Sequence, residues 1–281
     1  MSFLDRVRAL NTFDLSGYRV LQIAGKKVGF VKHAFATILT RWPDVFCIEQ
    51  TAVSVAPALD NPEKRSAAVN EVLLKLHSEG VIEGWRNELY PVNRFYGEPP
   101  YPLMERAAIP FFGIRAYGVH MNGFVRTGNA VRMWLGHRSP SKANEPDKLD
   151  QLVAGGQPAG IGLKANLIKE CWEEAGIPVF LAERAVSVGA VSYCWETPQG
   201  LRPDVIFTFD LELPPDFIPI NQDGEVQDFF LWPIEKVIET VCTSDRFKAN
   251  CALVVIDFLI RHGFISPEHP DYLKILRGLV S

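Results

Sequence analysis

The chain has 281 residues, of which 47% are apolar and 22% are charged, and its formal net charge is −4. This composition is typical of a globular protein with enough residues for one large or two modest cores. The negative net charge argues against general nucleic-acid binding, which usually requires a basic face, so no nucleic-acid partner is predicted.

Targeting and redox signals point to a cytoplasmic protein. No apolar run reaches about 18 residues, so neither a membrane span nor a membrane partner is predicted. The N-terminal stretch MSFLDRVRALNTFDLSGYRV lacks the basic start, apolar middle and cleavage site of a signal peptide. The five cysteines are scattered and odd in number, without a CxxC pair, which predicts reduced and mostly buried thiols rather than a zinc site.

The first part of the chain has the pattern of a small α/β domain. GYRVLQIAGKKVGFV is strand-like around a basic turn and predicts a hairpin. Residues 63–79 carry apolar side chains at helical spacing and are followed by Gly80, which predicts a helix that ends there. VIEGWRNELYPVN predicts a strand, and the proline-rich EPPYPLME predicts a connection. A boundary near Pro110 gives an N-terminal accessory domain of residues 1–112.

The second part, residues 113–281, mixes strands and helices. AYGVHMNGFVRTG and NAVRMWLGHRS alternate on either side of a Thr-Gly-Asn turn and predict a hairpin. AVSVGAVSYCWET, LRPDVIFTFDLEL and VQDFFLWPI predict three further strands, and IEKVIETVC and FKANCALVVIDFLIRHG predict helices. This order predicts an α+β fold in which strands and helices form an α/β sandwich.

The stretch GGQPAGIGLKANLIKECWEEAGI, residues 155–177, carries the strongest chemical signal. Glu170, Glu173 and Glu174 stand at i, i+3 and i+4 and share one helical face, where their charges repel. A hard divalent cation such as Mg²⁺ prefers oxygen ligands of this kind. Gly155 and Gly156 allow the backbone to approach an anion closely and are candidate substrate-binding residues. Together these features predict metal-assisted cleavage of a phosphate compound.

This stretch resembles the Nudix box, G-x5-E-x7-R-E-U-x-E-E-x-G-U, in which U is apolar. Gly155, Glu170, Glu173, Glu174 and Gly176 stand at matching positions. The resemblance implies that the three glutamates are metal ligands and catalytic residues, with Mg²⁺ or Mn²⁺ as the cofactor. It also implies a Nudix-type α/β/α sandwich with a mixed sheet, preceded here by a smaller α/β domain.

The box departs from the pattern at two positions. Ile161 stands where the first glutamate is expected, and Lys169 stands where the arginine is expected. Lysine keeps the positive charge but lacks the planar fork of arginine. The isoleucine at position 161 removes one acidic group near the expected metal. Resemblance to one subgroup of the family also implies a glutamate about where Ala165 stands, so a further acid is lost.

Further segments resemble one subgroup of Nudix hydrolases, related to the domain fused to eukaryotic thiamine pyrophosphokinase. They are RNELYPV, GVHMNGFV, AGGQPAG, LIKECWEEAGIP and DLELPPDFIPINQDGEV. The resemblance covers nearly the whole chain, including the N-terminal domain peculiar to the subgroup. It implies hydrolysis of thiamine diphosphate, or of its oxidised and damaged forms, to the monophosphate and phosphate.

Five other side chains are candidates for the site, each with a structural alternative. Glu225 precedes a strand and is a candidate general base or metal ligand; otherwise it is a solvated neighbour of a turn. Arg202 and Lys169 are candidates for neutralising diphosphate charge, with Arg202 better suited to bidentate contact unless it is simply a surface residue. Trp195 and Tyr193 share one strand face and could stack on a cationic thiazolium ring, or pack in the core.

Three functions remain open from the sequence. The first is the metal-dependent hydrolysis of a thiamine-type diphosphate. The second is a Nudix pyrophosphatase that acts on a nucleoside diphosphate derivative. The third is a non-catalytic Nudix-like ligand-binding module, because Ile161 and Ala165 replace acids. In each case the partner is a small molecule, and the protein is expected to be a monomer or a homodimer.

Overall fold

The computed structural model describes residues 1–141 and 145–280, which form two packing units. The helices are α1 (Phe3–Ala9), α2 (His33–Leu39), α3 (Pro62–Ser78), α4 (Leu163–Ala175), α5 (Val179–Ala182), α6 (Ile234–Thr243), α7 (Ala249–Arg261) and α8 (Tyr272–Gly278). The strands are β1 (Tyr18–Ile23), β2 (Lys26–Lys32), β3 (Phe46–Ile48), β4 (Ala52–Val55), β5 (Leu89–Pro91), β6 (Leu103–Glu105), β7 (Tyr117–Thr127), β8 (Ala130–Arg138), β9 (Leu149–Asp150), β10 (Val153–Gly156), β11 (Val186–Glu196), β12 (Leu201–Glu212) and β13 (Val226–Pro233). Within this described part of the chain, no helix is long and apolar enough to cross a membrane.

The N-terminal unit is built on a four-stranded sheet with the order β2-β1-β4-β3. The predicted hairpin at its start is confirmed, with β1 and β2 antiparallel. Its turn lies at Ala24 and Gly25, whose φ angles of 51° and 71° suit a tight hairpin connection. The predicted long helix is also confirmed as α3, which buries Val69, Leu73 and Leu76 in the core of this unit.

A small second hairpin, formed by β5 and β6, leads from this unit towards the second sheet. Leu89 pairs with Glu105 and Pro91 pairs with Leu103. The prediction of a plain connection for EPPYPLME was therefore wrong at its end, because residues 103–105 form β6. The predicted strand around residues 81–93 is shortened to the three residues of β5. Pairing between two three-residue strands leaves almost no alternation to detect in the sequence.

The second unit confirms the predicted fold class. Its sheet has the order β11-β12-β7-β8-β13, with β10 paired to β7 and β9 paired to β8. The sheet is mixed, since β12 runs parallel to β7 while the other pairs are antiparallel. Apolar side chains of α4 pack on one face, and α6 and α7 pack on the other. The result is an α/β/α sandwich.

The first helix packs with the second unit rather than with the residues that follow it. Phe3, Leu4 and Val7 of α1 lie in the same buried cluster as α7 and Ile275 of α8. The predicted division at residue 112 therefore does not describe α1, which is joined to helices at the far end of the chain by burial of its apolar face.

Candidate active site

The predicted glutamate helix is α4, and its two ends are fixed by glycine. Gly162 precedes the helix and Gly176 ends it with a φ of 62°. The N–H of Gly176 donates to the Trp172 carbonyl at 3.0 Å. A Cβ at Gly176 would lie 2.9 Å from the backbone oxygen of Ile220, so both the conformation and the space require glycine there.

The three predicted glutamates lie on α4 with graded exposure. Glu174 is only 8% exposed, and its Oε2 accepts a hydrogen bond from the Ala154 N–H of β10 at 2.7 Å. The side chain of Glu170 is 14% exposed and that of Glu173 is 41% exposed. The three carboxylates of α4 therefore range from the half-exposed Glu173 to the buried Glu174, which contacts β10.

Lys169 occupies the space between two of these carboxylates. Its Nζ lies 3.1 Å from Oε1 of Glu170 and 2.7 Å from Oε2 of Glu173. Burial opposes the charged ammonium, but the hydrogen bonds to Glu173 and Glu170 prevail and raise the pKa of Lys169. Lys169 thus pairs with two of the predicted glutamates while 45% of its side chain remains exposed.

The innermost carboxylates carry a charge that the protein compensates only in part. Burial, with repulsion from Asp150 and Glu170, raises the pKa of Glu174 to about 8 against the opposing Ala154 hydrogen bond. Burial also raises the pKa of Glu170, although Lys169 opposes the shift. Such a group of oxygen donors fits a divalent cation, which would favour the charged form of each ligand.

The two glycines before α4 each accommodate a different neighbour. A Cβ on Gly155 would fall 2.6 Å from Oε2 of Glu170, so the carboxylate lies directly against this residue. A Cβ on Gly156 would fall 1.7 Å from the Tyr90 hydroxyl oxygen and 3.4 Å from Cζ of Arg106. Gly155 thus faces the carboxylates of α4, and Gly156 faces the β5–β6 hairpin.

Glu225, the other predicted catalytic residue, lies just before β13. It is half-buried in the turn before β13, where its N–H donates to Asp223 Oδ1 at 2.8 Å. Its carbonyl accepts from the Ser139 N–H at 3.0 Å. Its charge contributes to the raised pKa of Glu174, so the two carboxyl groups are within electrostatic reach of each other.

The three remaining side chains predicted to bind substrate differ in exposure. Arg202 is 36% exposed and pairs with Asp204, with Nη2 and Oδ2 2.8 Å apart. Trp195 is half-buried and lies opposite Arg202 in the β11–β12 pairing. Tyr193 is instead a core residue, 3% exposed, whose hydroxyl donates to Asp204 at 3.2 Å and accepts from Asn250 at 3.1 Å. We therefore remove Tyr193 from the stacking candidates, because its ring has no open face.

A second cluster of metal-ligand types lies in the core and was not predicted from the sequence. His120, Asp150 and Cys251 are all buried, with potential ligand atoms within 4.8 Å of one another. Asp150 already pairs with Arg138 at 2.8 Å and with Lys248 at 3.3 Å. Although burial opposes ionisation, these two cations hold the pKa of Asp150 below its usual range. We interpret the cluster as an ion-paired part of the core, because its carboxylate is already neutralised.

Sequence reasoning also missed Tyr90, Arg106 and Asp204. The first two lie in the N-terminal unit, and only the packing of β5 and β6 against Gly156 brings them to the site. Asp204 follows Pro203 within a strand, so its sequence position suggested an ordinary sheet residue. A charged residue at an inward position of a strand was the one signal that could have identified it.

Comparisons with known proteins found one family model and several similar proteins. A family model described as a domain of unknown function (DUF4743) matches residues 2–116. Nudix hydrolase 20, chloroplastic, of Arabidopsis thaliana is 46% identical over 261 residues, which cover 90% of this chain and 70% of the relative. Nudix hydrolase 24, chloroplastic, of the same plant is 46% identical over 281 residues, which cover 99% of this chain and 77% of that relative.

A solved structure is also similar, at lower identity. The NUDIX domain of Shewanella oneidensis NrtR, complexed with ADP ribose, has a TM-score of 0.41 and 14% identity, covering 54% of this chain and 90% of that one. The assignment rests on the two plant relatives, which match most of the chain at nearly half identity. The chain belongs to the Nudix hydrolase family and is a diphosphate hydrolase of the Nudix type.

Proposed function

We propose that this protein hydrolyses thiamine diphosphate, or its oxidised and damaged forms, to the monophosphate and phosphate with Mg²⁺ or Mn²⁺. The observation that carries the hydrolytic part is the group of three carboxylates on α4, packed against β10 with too little positive charge to neutralise it. The thiamine part is supported by the resemblance of segments across the whole chain to one Nudix subgroup.

Glu170, Glu173 and Glu174 would hold the metal. When bound, a divalent cation polarises phosphate oxygens, offsets developing negative charge and lowers the pKa of a bound water. The neighbouring backbone is suited to this role, since Gly155 leaves room for the Glu170 carboxylate beside β10. Lys169 keeps Glu170 and Glu173 together by contacting both.

The chain also offers groups for the proton and for the substrate. Glu225 is the candidate general base, because it is half-buried and lies within electrostatic reach of Glu174. Arg202 offers a guanidinium group to a phosphate oxygen, although it is shared with Asp204. Trp195, opposite Arg202 and half-buried against the core cluster of α7, would stack on a flat cationic heterocycle.

The test is a substrate panel measured with Mg²⁺ and with Mn²⁺, in which chromatography separates each substrate from its monophosphate products. Oxidised thiamine diphosphates, thiamine diphosphate, a nucleotide sugar and a dinucleotide diphosphate are compared by kcat/KM. We expect the thiamine compounds to be preferred. A strong preference for a nucleotide over every thiamine analogue would refute the substrate, and binding without turnover with either metal would refute the hydrolytic role.

A further inference from the structure

We infer that the β5–β6 hairpin of the N-terminal unit completes the substrate-binding wall, and that Arg106 contacts the diphosphate. The inference rests on the proposed function in one respect, since it takes the ligand to be a diphosphate. Arg106 follows β6 directly and belongs to the segment matched by the domain of unknown function. It therefore gives that domain a role in the active site.

The hairpin lies directly against the glycine-rich loop that precedes α4. The guanidinium carbon of Arg106 is 3.4 Å from the place where a Cβ of Gly156 would be. In addition, the N–H of Ala159 in this loop donates to the Leu89 carbonyl of β5 at 2.9 Å. Because the Glu170 carboxylate lies against Gly155, Arg106 and Glu170 contact neighbouring residues of β10.

Arg106 is held on a rigid support. Glu105, the last residue of β6, is 1% exposed, and its carboxylate accepts from the N–H groups of Arg86 at 2.9 Å and Glu88 at 3.2 Å. The N–H of Arg106 donates to the Glu88 carbonyl at 2.8 Å. Nη1 of Arg106 also bonds to the Glu88 carboxylate at 2.7 Å. A substrate-binding group gains from such preorganisation, because little side-chain entropy is then lost on binding.

Arg106 lies near a second cation that comes from the other unit. Arg202 is close enough for the two guanidinium groups to repel each other, and each is paired with one carboxylate, Glu88 or Asp204. The Arg106 side chain remains 45% exposed. Among residues 1–141 and 145–280, its Nε and Nη2 have no hydrogen-bond partner. A guanidinium group with free donors is suited to a phosphate group, which accepts bidentate hydrogen bonds.

The buried Tyr90 side chain lies beside both Arg106 and Gly156. The guanidinium carbon of Arg106 is 5.6 Å from the centroid of the Tyr90 ring, and the Tyr90 hydroxyl lies against Gly156. The same hydroxyl is within electrostatic reach of Glu170. A diphosphate has the charge to join these groups, with one phosphate towards Glu170 and the metal it would hold and the other towards the two arginines.

The experiment is a calorimetric titration with imidodiphosphate, a diphosphate analogue resistant to hydrolysis, in the presence of Mg²⁺. We expect Arg106→Ala to raise the Kd of the probe roughly 10- to 100-fold, in the range of a lost charge-assisted hydrogen bond. Arg106→Lys should recover part of the affinity. The matched control is Arg86→Ala, which removes an exposed arginine side chain before β5, keeps the backbone N–H that donates to Glu105, and should leave the Kd unchanged.

The outcomes separate the inference from the proposed function. If Arg106→Ala and Arg106→Lys both bind the probe as tightly as the wild type, Arg106 only braces Glu88 and the inference is wrong. No binding by the wild-type protein would overturn both the inference and the diphosphate ligand. Arg106-dependent probe binding without hydrolysis of any thiamine diphosphate would support the inference and overturn only the proposed substrate.

Discussion

The carboxylate of Glu174 and the backbone N–H of Ala154 are joined by a hydrogen bond of 2.7 Å, which ties the last turn of α4 to the edge of β10. This bond fixes a buried acidic group where Glu170 and Glu225 add further negative charge. Its position is costly for the folded protein, because burial disfavours the charged form. Carboxylates held in this way are typical of a metal-binding catalytic site.

Glu174→Gln is expected to lower kcat by about 100-fold or more, a loss of about 3 kcal/mol of transition-state stabilisation. The amide retains an oxygen for the Ala154 N–H but loses the charge that a metal requires. The measurement is phosphate release under saturating substrate and Mg²⁺. The control is Glu183→Gln, an exposed glutamate after α5, which should remain fully active. Wild-type turnover by the Glu174 variant would show that this carboxylate is not a ligand.

The same substitution should stabilise the metal-free protein at alkaline pH. The pKa of Glu174 is about 8 in the folded protein and 4.5 in its ordinary range. A raised pKa in an acid means that stability falls as pH rises from 4.5 to about 8, because the unfolded chain ionises first. With a chelator at pH 8, the free energy of unfolding of Glu174→Gln should therefore exceed that of the wild type by roughly 2–5 kcal/mol. Denaturant unfolding measures it, and a less stable variant would contradict the burial argument.

Mg²⁺ or Mn²⁺ should raise the Tm of the wild-type protein and not that of Glu174→Gln. A ligand that binds only the folded state stabilises it by about 2.7 kcal/mol at one hundred times its Kd. Thermal unfolding with and without metal gives the shift, and Ca²⁺ serves as a larger cation for comparison. Equal shifts in both proteins would place the metal away from α4.

The sequence predicts the elements whose patterns are local. The helix α4 could be read from glutamate spacing and Gly176, and the β7–β8 hairpin from alternation around a turn. Contacts made only after folding could not be read in this way. Tyr90 and Arg106 reach Gly156 through the packing of one unit against the other. The alternation along β11 allows Tyr193 to face the surface, but α7 covers it and the Asn250 side chain donates a hydrogen bond to its hydroxyl.

Lys169→Ala should lower kcat roughly tenfold while changing stability by only about 0.5 kcal/mol, the usual worth of an exposed ion pair. Lys169 contacts Glu170 and Glu173, so its loss lets these carboxylates separate. Lys169→Arg should keep most of the activity. The control is Lys164→Ala, an exposed lysine in the first turn of the same helix. Kinetics and chemical denaturation are compared, and an unchanged kcat in Lys169→Ala would remove the residue from the site.

Gly156→Ala is expected to destabilise the protein by about 1–3 kcal/mol, because the new Cβ would overlap the Tyr90 hydroxyl. Tyr90 is buried and cannot swing away easily. Tyr90→Phe removes the oxygen, so the double variant should be more stable than the sum of the single effects predicts, by at least about 0.5 kcal/mol. Gly17→Ala is the control, since nothing lies within 4 Å of its Cβ position. Strict additivity would contradict the close contact.

His120→Asn should reduce the loss of folding stability that occurs as the pH falls from 6.5 to about 4. Burial, with the Lys248 charge, lowers the pKa of His120 from 6.5 to about 4. Its Nδ1 donates to Gln151 Oε1 at 2.8 Å, since the Gln151 amide nitrogen donates to the Cys251 carbonyl. Between pH 6.5 and about 4, His120 binds a proton in the unfolded chain but stays neutral in the folded protein. Stability is therefore lost as pH falls through this window, by about 3 kcal/mol in total.

Asparagine at this position offers an amide donor to Gln151 but does not titrate, so the variant lacks this contribution. The measurement is the free energy of unfolding at several pH values between 7 and 4, taken as the difference between variant and wild type. His33→Asn, which removes an exposed imidazole at the start of α2, is the control and keeps the core intact. A His120→Asn profile parallel to that of the wild type would mean that His120 accepts its proton in the folded protein. Burial would then not be enough to hold the pKa of His120 below its ordinary value.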